Sequence, residues 1–453
     1  MNELLQIHNL FRRSGEQYLA EDPQLRKLAA FPIRYESDLI TVFSRKAPGI
    51  YTLSGGRQIG KTTLIKQVIA RVLHAGIAAG KNILYLTGEV LPDHTDLLRE
   101  IREFVTLLNS DSPAFLFVDE ISYIHEWHRA VKFAADAGYF EKTVVVLTGS
   151  DMVFLKEMIK RLPGRRGRDS VVDYHYHPVD FREYAQLTGE AVHLPHVDSL
   201  HRPPALDADL TSRLYSLLDR YLRTGGYLTA INDLAQSGDV SAATMRTYVD
   251  WIYGDMARRN KHRRFVDDVL GGILKRYGSQ LTWNTLAADL SIQHHKTVFD
   301  YCDILQDMDV IRIHAAFQEH TRSAAPKKAR KIYFTDPFIA RAVAQALTMK
   351  PPSPDNLIEG VVVGAARKAF PSYYIKKAGE IDLVYVDGDR FVPIEIKNTS
   401  AVKPVHLKML KTCSRGILAC RVISPGTIDS VSVLPIPWVL LFFCDRAQEA
   451  RFP

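Results

Sequence analysis

Between a β-rich run, Ile50 to Ser54, and a helical pattern beginning near Lys61 lies the octapeptide Gly55-Gly56-Arg57-Gln58-Ile59-Gly60-Lys61-Thr62. Strand, glycine-rich turn and helix in that order constrain the fold more than any other feature. The glycines let the turn aim its amide N–H groups at one point on the N-terminus of the following helix, where a phosphate group is stabilised. Lys61 adds a compact positive charge there, and the Thr62 hydroxyl is placed to coordinate Mg²⁺. Gly55, Gly56, Arg57, Gln58, Ile59, Gly60, Lys61, Thr62 and Thr63 are therefore the candidate phosphate contacts.

Further apolar runs follow at Asn82 to Thr87, Phe115 to Val118 and Val144 to Thr148, with helical patterns between them. Strands alternating with helices of this length predict an α/β domain with a parallel sheet. The third run ends in Asp119-Glu120, which places Asp119 to hold a Mg²⁺ shell and Glu120 to orient the attacking water. The fourth runs into Thr148-Gly149-Ser150, making Ser150 or Thr148 the candidate sensor of the terminal phosphate. Arg161, Arg165, Arg166 and Arg168 surround Pro163-Gly164 and are the arginine-finger candidates. Glu89, after the second run, reads as a surface acid.

Length and composition bound the rest. The 453 residues suit about three domains. A hydrophobic share of 46 % with 24 % charged residues is that of a globular chain. Four cysteines without a C-x-x-C pair write neither a disulfide framework nor a zinc ribbon, so a reducing, cytoplasmic setting is expected. The apolar run Trp438 to Cys444 is far short of the roughly 20 residues a bilayer needs. A net charge of +7 matters only where it clusters.

It clusters in the second half of the chain. Arg258, Arg259, Lys261, Arg263 and Arg264 form the densest run, expected on a helix. Three helical patterns (Gly271 to Tyr277, Asn284 to Leu290, Lys296 to Met308) precede two strand patterns, Val310 to Ala315 and Lys331 to Phe334. This order resembles a winged helix, with His294, His295 and Lys296 opening the helix that enters the major groove. Arg322, Lys327, Lys328, Arg330 and Lys331 are expected to form a cationic wing toward phosphates. Further on, Glu380 to Val384 and Pro393 to Lys397 flank an Asp387-Gly388-Asp389 turn. Hairpin pairing brings Asp382 beside Glu395, and alternation sets Lys397 on the face of Glu395. Adjacent carboxylates imply a Mg²⁺ or Mn²⁺ site, where Lys397 positions a water.

The nucleotide-type motifs, the Thr-Gly-Ser strand end, the Pro-Gly-Arg turn and the stretch His177 to Tyr184 together resemble an archaeal-type AAA P-loop ATPase. The resemblance implies ATP and Mg²⁺, with Lys61 and Thr62 as nucleotide and metal contacts, Asp119 and Glu120 as the acidic pair and Ser150 as the sensor. No Asn-Lys-x-Asp guanine signature is present. The D…E-x-K pattern of Asp382, Glu395 and Lys397 resembles a PD-(D/E)xK nuclease core, which implies Glu359 as a further acid. With Tyr221 to Tyr227 and Lys331 to Pro337, the second half resembles the domain of unknown function that accompanies such ATPases. The expected layout is a helical lead-in over 1–49, the ATPase over 50–190, a helical and winged-helix segment over 207–345 and a nuclease-like domain over 355–453. The expected function is ATP-driven processing or remodelling of DNA, branched DNA included, by a homo-oligomer with a hexamer favoured; the alternative is a regulatory or scaffolding ATPase whose nuclease-like domain is inactive.

Overall fold

The computed structural model of the protein describes residues 3–108, 112–150, 155, 160, 162–167, 169–189, 193–201, 207–290, 292, 294–377, 379–413 and 415–451. Two compact units divide the chain, Met1–His177 and Pro178–Pro453.

In the first unit a lead-in of short helices, α1 (Pro23–Ala29) and α2 (Leu39–Ser44) among them, precedes the sheet. Then follow β1 (Gly49–Ser54), α3 (Lys61–His74), β2 (Ile83–Thr87), α4 (His94–Thr106), β3 (Ala114–Asp119), α5 (Trp127–Asp136), β4 (Thr143–Gly149) and β5 (Asp173–His175). The strands lie in the order β2-β3-β4-β1-β5, and every pair is parallel. Residues of β2, β3 and β4 are buried throughout, the continuous apolar pattern of strands covered on both faces. Leu84, Leu116 and Val145 pack in one core with Leu97 and Ile101 of α4 and Trp127 and Val131 of α5. Each such side chain contributes roughly 1.5–3 kcal/mol by leaving water.

The lead-in lies within the first unit. Strand β2 is one of the two edges of the sheet, and the buried Asn9 amide both donates to the Tyr85 carbonyl (2.7 Å) and accepts from the Tyr85 N–H (2.8 Å). A side chain thereby satisfies backbone groups that an edge strand leaves open.

The second unit begins with helices: α6 (Phe181–Thr188), α7 (Ala208–Thr224), α8 (Leu228–Ser237), α9 (Ala242–Arg258), α10 (Arg263–Lys275), α11 (Trp283–Asp289) and α12 (His295–Asp307). Strands β6 (Ile311–Ala315) and β9 (Arg330–Phe334) pair antiparallel, with the small hairpin β7 (Phe317–Gln318) and β8 (Ser323–Ala324) between them. Leu281 bridges to Arg330 on the far side of β9. After α13 (Pro337–Ala346) and α14 (Pro354–Ala369), a mixed six-stranded sheet runs in the order β10-β11-β12-β13-β15-β14. Its strands are β10 (Ser372–Lys376), β11 (Glu380–Asp387), β12 (Arg390–Lys397), β13 (Ile417–Cys420), β14 (Gly426–Ile428) and β15 (Val431–Pro435). Helix α15 (Ile436–Arg451) carries the apolar run Trp438 to Cys444, all of it buried.

Two segments singled out in the sequence meet here. Asp336 caps α13 by accepting from the Phe338 N–H (2.8 Å), and its second oxygen accepts from the Gly226 N–H (2.9 Å). Gly225, at φ +53°, leaves no room for a side chain: a Cβ would lie 1.6 Å from Asp336 Oδ1. The basic run Arg258 to Arg264 is not one helix as expected. Asn260, at φ +56°, ends α9, and α10 starts at Arg263, so the charges flank a turn.

Candidate functional site

The loop from Gly55 to Gly60 joins β1 to α3, with Gly55 at φ +154° and Gly60 at φ +100°. A Cβ at Gly55 would lie 2.5 Å from the Tyr176 carbonyl oxygen, so only glycine admits this path. Lys61 is 5 % exposed, and its Nζ donates to the carbonyls of Gly55 and Gly56, each at 2.9 Å. Its ammonium lies 3.5 Å from Glu120 Oε1.

Thr62 Oγ1 donates to Asp119 Oδ2 at 2.6 Å. A hydroxyl and a carboxylate side by side at a helix N-terminus are hard oxygen donors of the kind Mg²⁺ takes, so these residues fit that ion. Three hydroxyls orient Asp119: Thr62 and Tyr85 (2.9 Å) on Oδ2, and Thr148 (2.5 Å) on Oδ1. Thr148 Oγ1 also accepts from the Glu120 N–H at 3.1 Å, so one hydroxyl fixes both acids. Ser150 takes the other role, donating to Glu120 Oε2 from Oγ (3.0 Å) and from its backbone N–H (3.3 Å). Burial pulls the Glu120 pKa upward, but Lys61 and Arg57 outweigh it, and the carboxyl is held below its ordinary value. An ionised Glu120 can accept a proton or orient a water. Its φ of +49° at the strand end turns the side chain back over the loop. Glu89 is exposed.

Tyr85 carried no signal in the sequence, where an aromatic inside a strand reads as core. It joins the lead-in to the acidic strand: Asn9 grips its backbone, its hydroxyl reaches Asp119, and Lys66 Nζ stands 4.0 Å from its ring centre. Burial lowers the Lys66 pKa, while Asp22, 3.3 Å away, opposes that shift.

Arg165 and Arg166 are engaged within the chain. Arg165 pairs with Asp136, and Arg166 forms a two-pronged bond with Asp173 on β5, both prongs at 2.8 Å. Arg161 and Arg168 lie outside the described residues.

Of the other cations, His294, His295 and Lys296 are exposed at the start of α12, as expected, and Lys327 and Lys328 are exposed on the turn before β9. Arg264 is exposed, Lys261 pairs with Asp300, Arg258 pairs with Asp255, and Arg263 stacks over Tyr253 at 4.1 Å. Arg259 is half-buried. Arg330 does not face outward with the lysines. Its guanidinium lies 4.4 Å over Trp283 and bonds the Lys328 carbonyl. Arg322 pairs with Asp389 at 2.7 Å.

Lys331 departs furthest from expectation. It is 1 % exposed, and its Nζ lies 2.8 Å from Glu359, 2.5 Å from Glu380 and 3.2 Å from Asp382. Alternation along β9 turns Lys331 and Tyr333 to the same side, away from solvent, and the Tyr333 hydroxyl donates to Glu359. Lys397 lies 2.7 Å from Glu395 and 3.2 Å from Asp382, and the Ile396 N–H donates to Asp382 at 3.1 Å. Glu359, Asp382, Glu395 and Lys397 thus do come together, but around two ammonium groups. Among the described residues, the groupings whose ligand atoms all lie close enough for one metal ion do not include Glu359, Asp382 or Glu395. As these side chains stand, they do not fit Mg²⁺ or Mn²⁺. Burial raises the Glu359 pKa, with Asp382 adding to it, and burial and Asp382 push Glu395 up to about 7. Asp382 moves down, because Lys331 and Lys397 outweigh its burial.

Residues 47–185 match the family model of the AAA domain. The parallel sheet and the loop over Lys61 and Thr62 are consistent with a P-loop NTPase fold. Residues 215–350 match a domain of unknown function, DUF8612, which ends before α14. Similar solved structures include a Walker-type ATPase of Pyrococcus abyssi, at 13 % identity and TM-score 0.42, covering 73 % of this chain and 95 % of that one. The Aeropyrum pernix ORC1 protein in complex with DNA is 13 % identical with TM-score 0.31, covering 75 % and 92 %. A Thermotoga maritima RuvB variant is 14 % identical with TM-score 0.31, covering 75 % and 96 %. No curated protein matches the chain. No helix among the described residues is long and apolar enough to cross a membrane.

Proposed function

We propose that this chain is an ATP-hydrolysing, AAA-type DNA-binding protein whose C-terminal carboxylate core binds or organises rather than cuts. The observation that carries the ATPase reading is the Thr148 hydroxyl, bonded at once to Asp119 and to the Glu120 backbone, with Lys61 and Thr62 across from them. In this reading Lys61 neutralises the terminal phosphates, and Thr62 and Asp119 hold Mg²⁺, which supplies further charge neutralisation when bound. Glu120 orients the water, and Ser150 holds Glu120 in the orientation that does so.

Exposed cations support the DNA reading. Helices α10 to α12 with β6 and β9 have the order of a winged helix, and His295 and Lys296 stand at the head of α12. An open cleft of about 640 Å³ between the β7–β8 hairpin and β10 adds Lys327, Lys328 and Lys376, while Lys377 there is paired with Glu319 at 2.7 Å. Cations so grouped suit phosphate contacts. Metal-dependent cleavage at Asp382, Glu395 and Lys397, with Mn²⁺, is not part of this function, because Lys331 stands among the acids that would hold the ion. For Arg165 or Arg166 to act as a finger toward a neighbouring copy, its ion pair must first open.

The test is ATP turnover together with binding to linear, single-stranded and branched DNA. Lys61→Ala is expected to abolish turnover and to leave DNA retention intact, and cleavage is expected from neither protein. Turnover that survives Lys61→Ala would sink the ATPase reading. Light scattering with and without ATP tests assembly, for which a hexamer is the proposal.

A further inference from the structure

The core of the second unit holds a lysine where its carboxylates converge. We propose that Lys331 Nζ is a built-in substitute for a divalent cation: wild-type protein binds no metal at this centre, and removing the lysine creates a metal site there.

The donors are already consumed. Glu359 accepts from Lys331 and from the Tyr333 hydroxyl, and Glu380 from Lys331 and the Gln280 amide. Asp382 accepts from Lys331, Lys397 and the Ile396 N–H, and Glu395 is paired with Lys397. Two ammonium groups among four carboxylates supply the positive charge that would otherwise come from an ion. A divalent cation entering this arrangement would meet two like charges at contact distance and carboxylate oxygens already hydrogen-bonded.

The lysine is delivered by a strand, not by a swinging side chain at the surface. Lys331 pairs with His314 of β6, and its neighbour Arg330 exchanges both backbone hydrogen bonds with Leu281, at 2.8 and 2.9 Å. The strand is therefore held on both sides, and the ammonium it delivers is 1 % exposed. His314, wholly buried beside Tyr333 and Tyr374, adds no cation of its own, since burial first, then Arg367 and Lys331, lower its pKa to about 3. Lys331 itself stays charged: burial pulls its pKa down, but Asp382, Glu359 and Glu380 carry it above the ordinary lysine value.

This inference rests on the reading of β10 to β12 as a non-cutting core and not on the nucleotide site. Mn²⁺ binding is measured by electron paramagnetic resonance and calorimetry on the full chain. Wild type and Glu359→Gln are expected to bind the same amount of Mn²⁺, because any ion at the nucleotide site is common to both. In Lys331→Ala the carboxylates of Glu359, Glu380 and Asp382, held apart around the ammonium in wild type, are expected to draw together on one Mn²⁺ per chain, and Lys331→Ala with Asp382→Asn to lose it again. The proposal is overturned if wild type holds a Mn²⁺ that Glu359→Gln removes, or if folded Lys331→Ala gains none. The comparison of wild type with Glu359→Gln decides the matter even where Lys331→Ala does not fold. ATP turnover of the same samples separates the two readings, since its absence with the Mn²⁺ pattern intact strikes the proposed ATPase alone.

Discussion

Replacing Thr148 by valine keeps shape and volume and deletes one hydroxyl, which is 0 % exposed and bonded to Asp119 Oδ1 at 2.5 Å and to the Glu120 N–H at 3.1 Å. A hydrogen bond to an ionised carboxylate contributes roughly 1.5–3 kcal/mol, and one between neutral groups about 0.5–1.5 kcal/mol. Their sum puts the stability cost near 2–4.5 kcal/mol. Catalysis is affected through geometry: Asp119 loses its restraint on one oxygen, and Glu120 loses the bond that fixes its backbone at positive φ. A drop in kcat of about 10- to 100-fold corresponds to roughly 1.4–2.7 kcal/mol of the barrier, well within that sum. Thr148→Ser keeps the hydroxyl and removes a methyl, so it should lose about 0.5–1.5 kcal/mol of stability with turnover near wild type. The assay is ATP hydrolysis at saturating Mg²⁺ and nucleotide, beside urea unfolding of the same samples. Wild-type turnover in Thr148→Val, or equal damage in Thr148→Ser, would refute the bridging role.

Asp336 is 4 % exposed, and burial raises its carboxyl from 3.8 to about 6. A carboxyl raised on folding withdraws stability as pH climbs from about 4 to about 6, here about 3 kcal/mol in all; Asp336→Asn should flatten that part of a stability-against-pH curve while lowering stability at pH 4, where the Gly226 N–H loses its acceptor. Arg182→Ala should cost roughly 3–5 kcal/mol in urea unfolding, because Asp445, 2 % exposed, loses its guanidinium partner and keeps the Val197 N–H at 2.9 Å and His196 Nδ1 at 3.6 Å. Replacing Lys296, Lys327 and Lys328 together by alanine should flatten the plot of log affinity for duplex DNA against log salt by up to about 2.7, at about 0.9 per lost phosphate contact. Arg330→Ala, by contrast, should lower stability through its Trp283 stack and leave the salt slope in place.

The first unit was legible because its signals are local. Gly55 to Thr62 sit within one turn, and β3 ends in Asp119-Glu120 in the same stretch of chain that buries it. The strands fall within about a residue of the expected runs, since a parallel strand buried on both faces leaves an unbroken apolar word. What failed was what depends on distant partners. Lys331 lies in a basic run, and nothing near it in sequence says that Glu359 and Asp382, 28 and 51 residues on, will close around it. Alternation did contain half the answer, because Lys331 shares a face with Tyr333 and not with Arg330. Asn9 and Tyr85, 76 residues apart, were opaque for the same reason: an amide matched to one peptide unit leaves no pattern. The turn at Asn260 leaves no mark in the basic run, because charge runs carry no period of their own.

The bond between Arg182 and Asp445 spans 263 residues and joins α6, the first helix of its unit, to α15. At about 5–20 residues per second, a ribosome needs roughly 13–50 s to travel from one partner to the other. Throughout that interval the nascent second unit holds an arginine for which the buried acceptor has yet to be made, while the P-loop sheet, with all its strands already synthesised, is free to form. The order of synthesis therefore gives the first unit a head start, and chaperones that meet the growing chain meet a first unit free to fold attached to a second one that still lacks its acceptor.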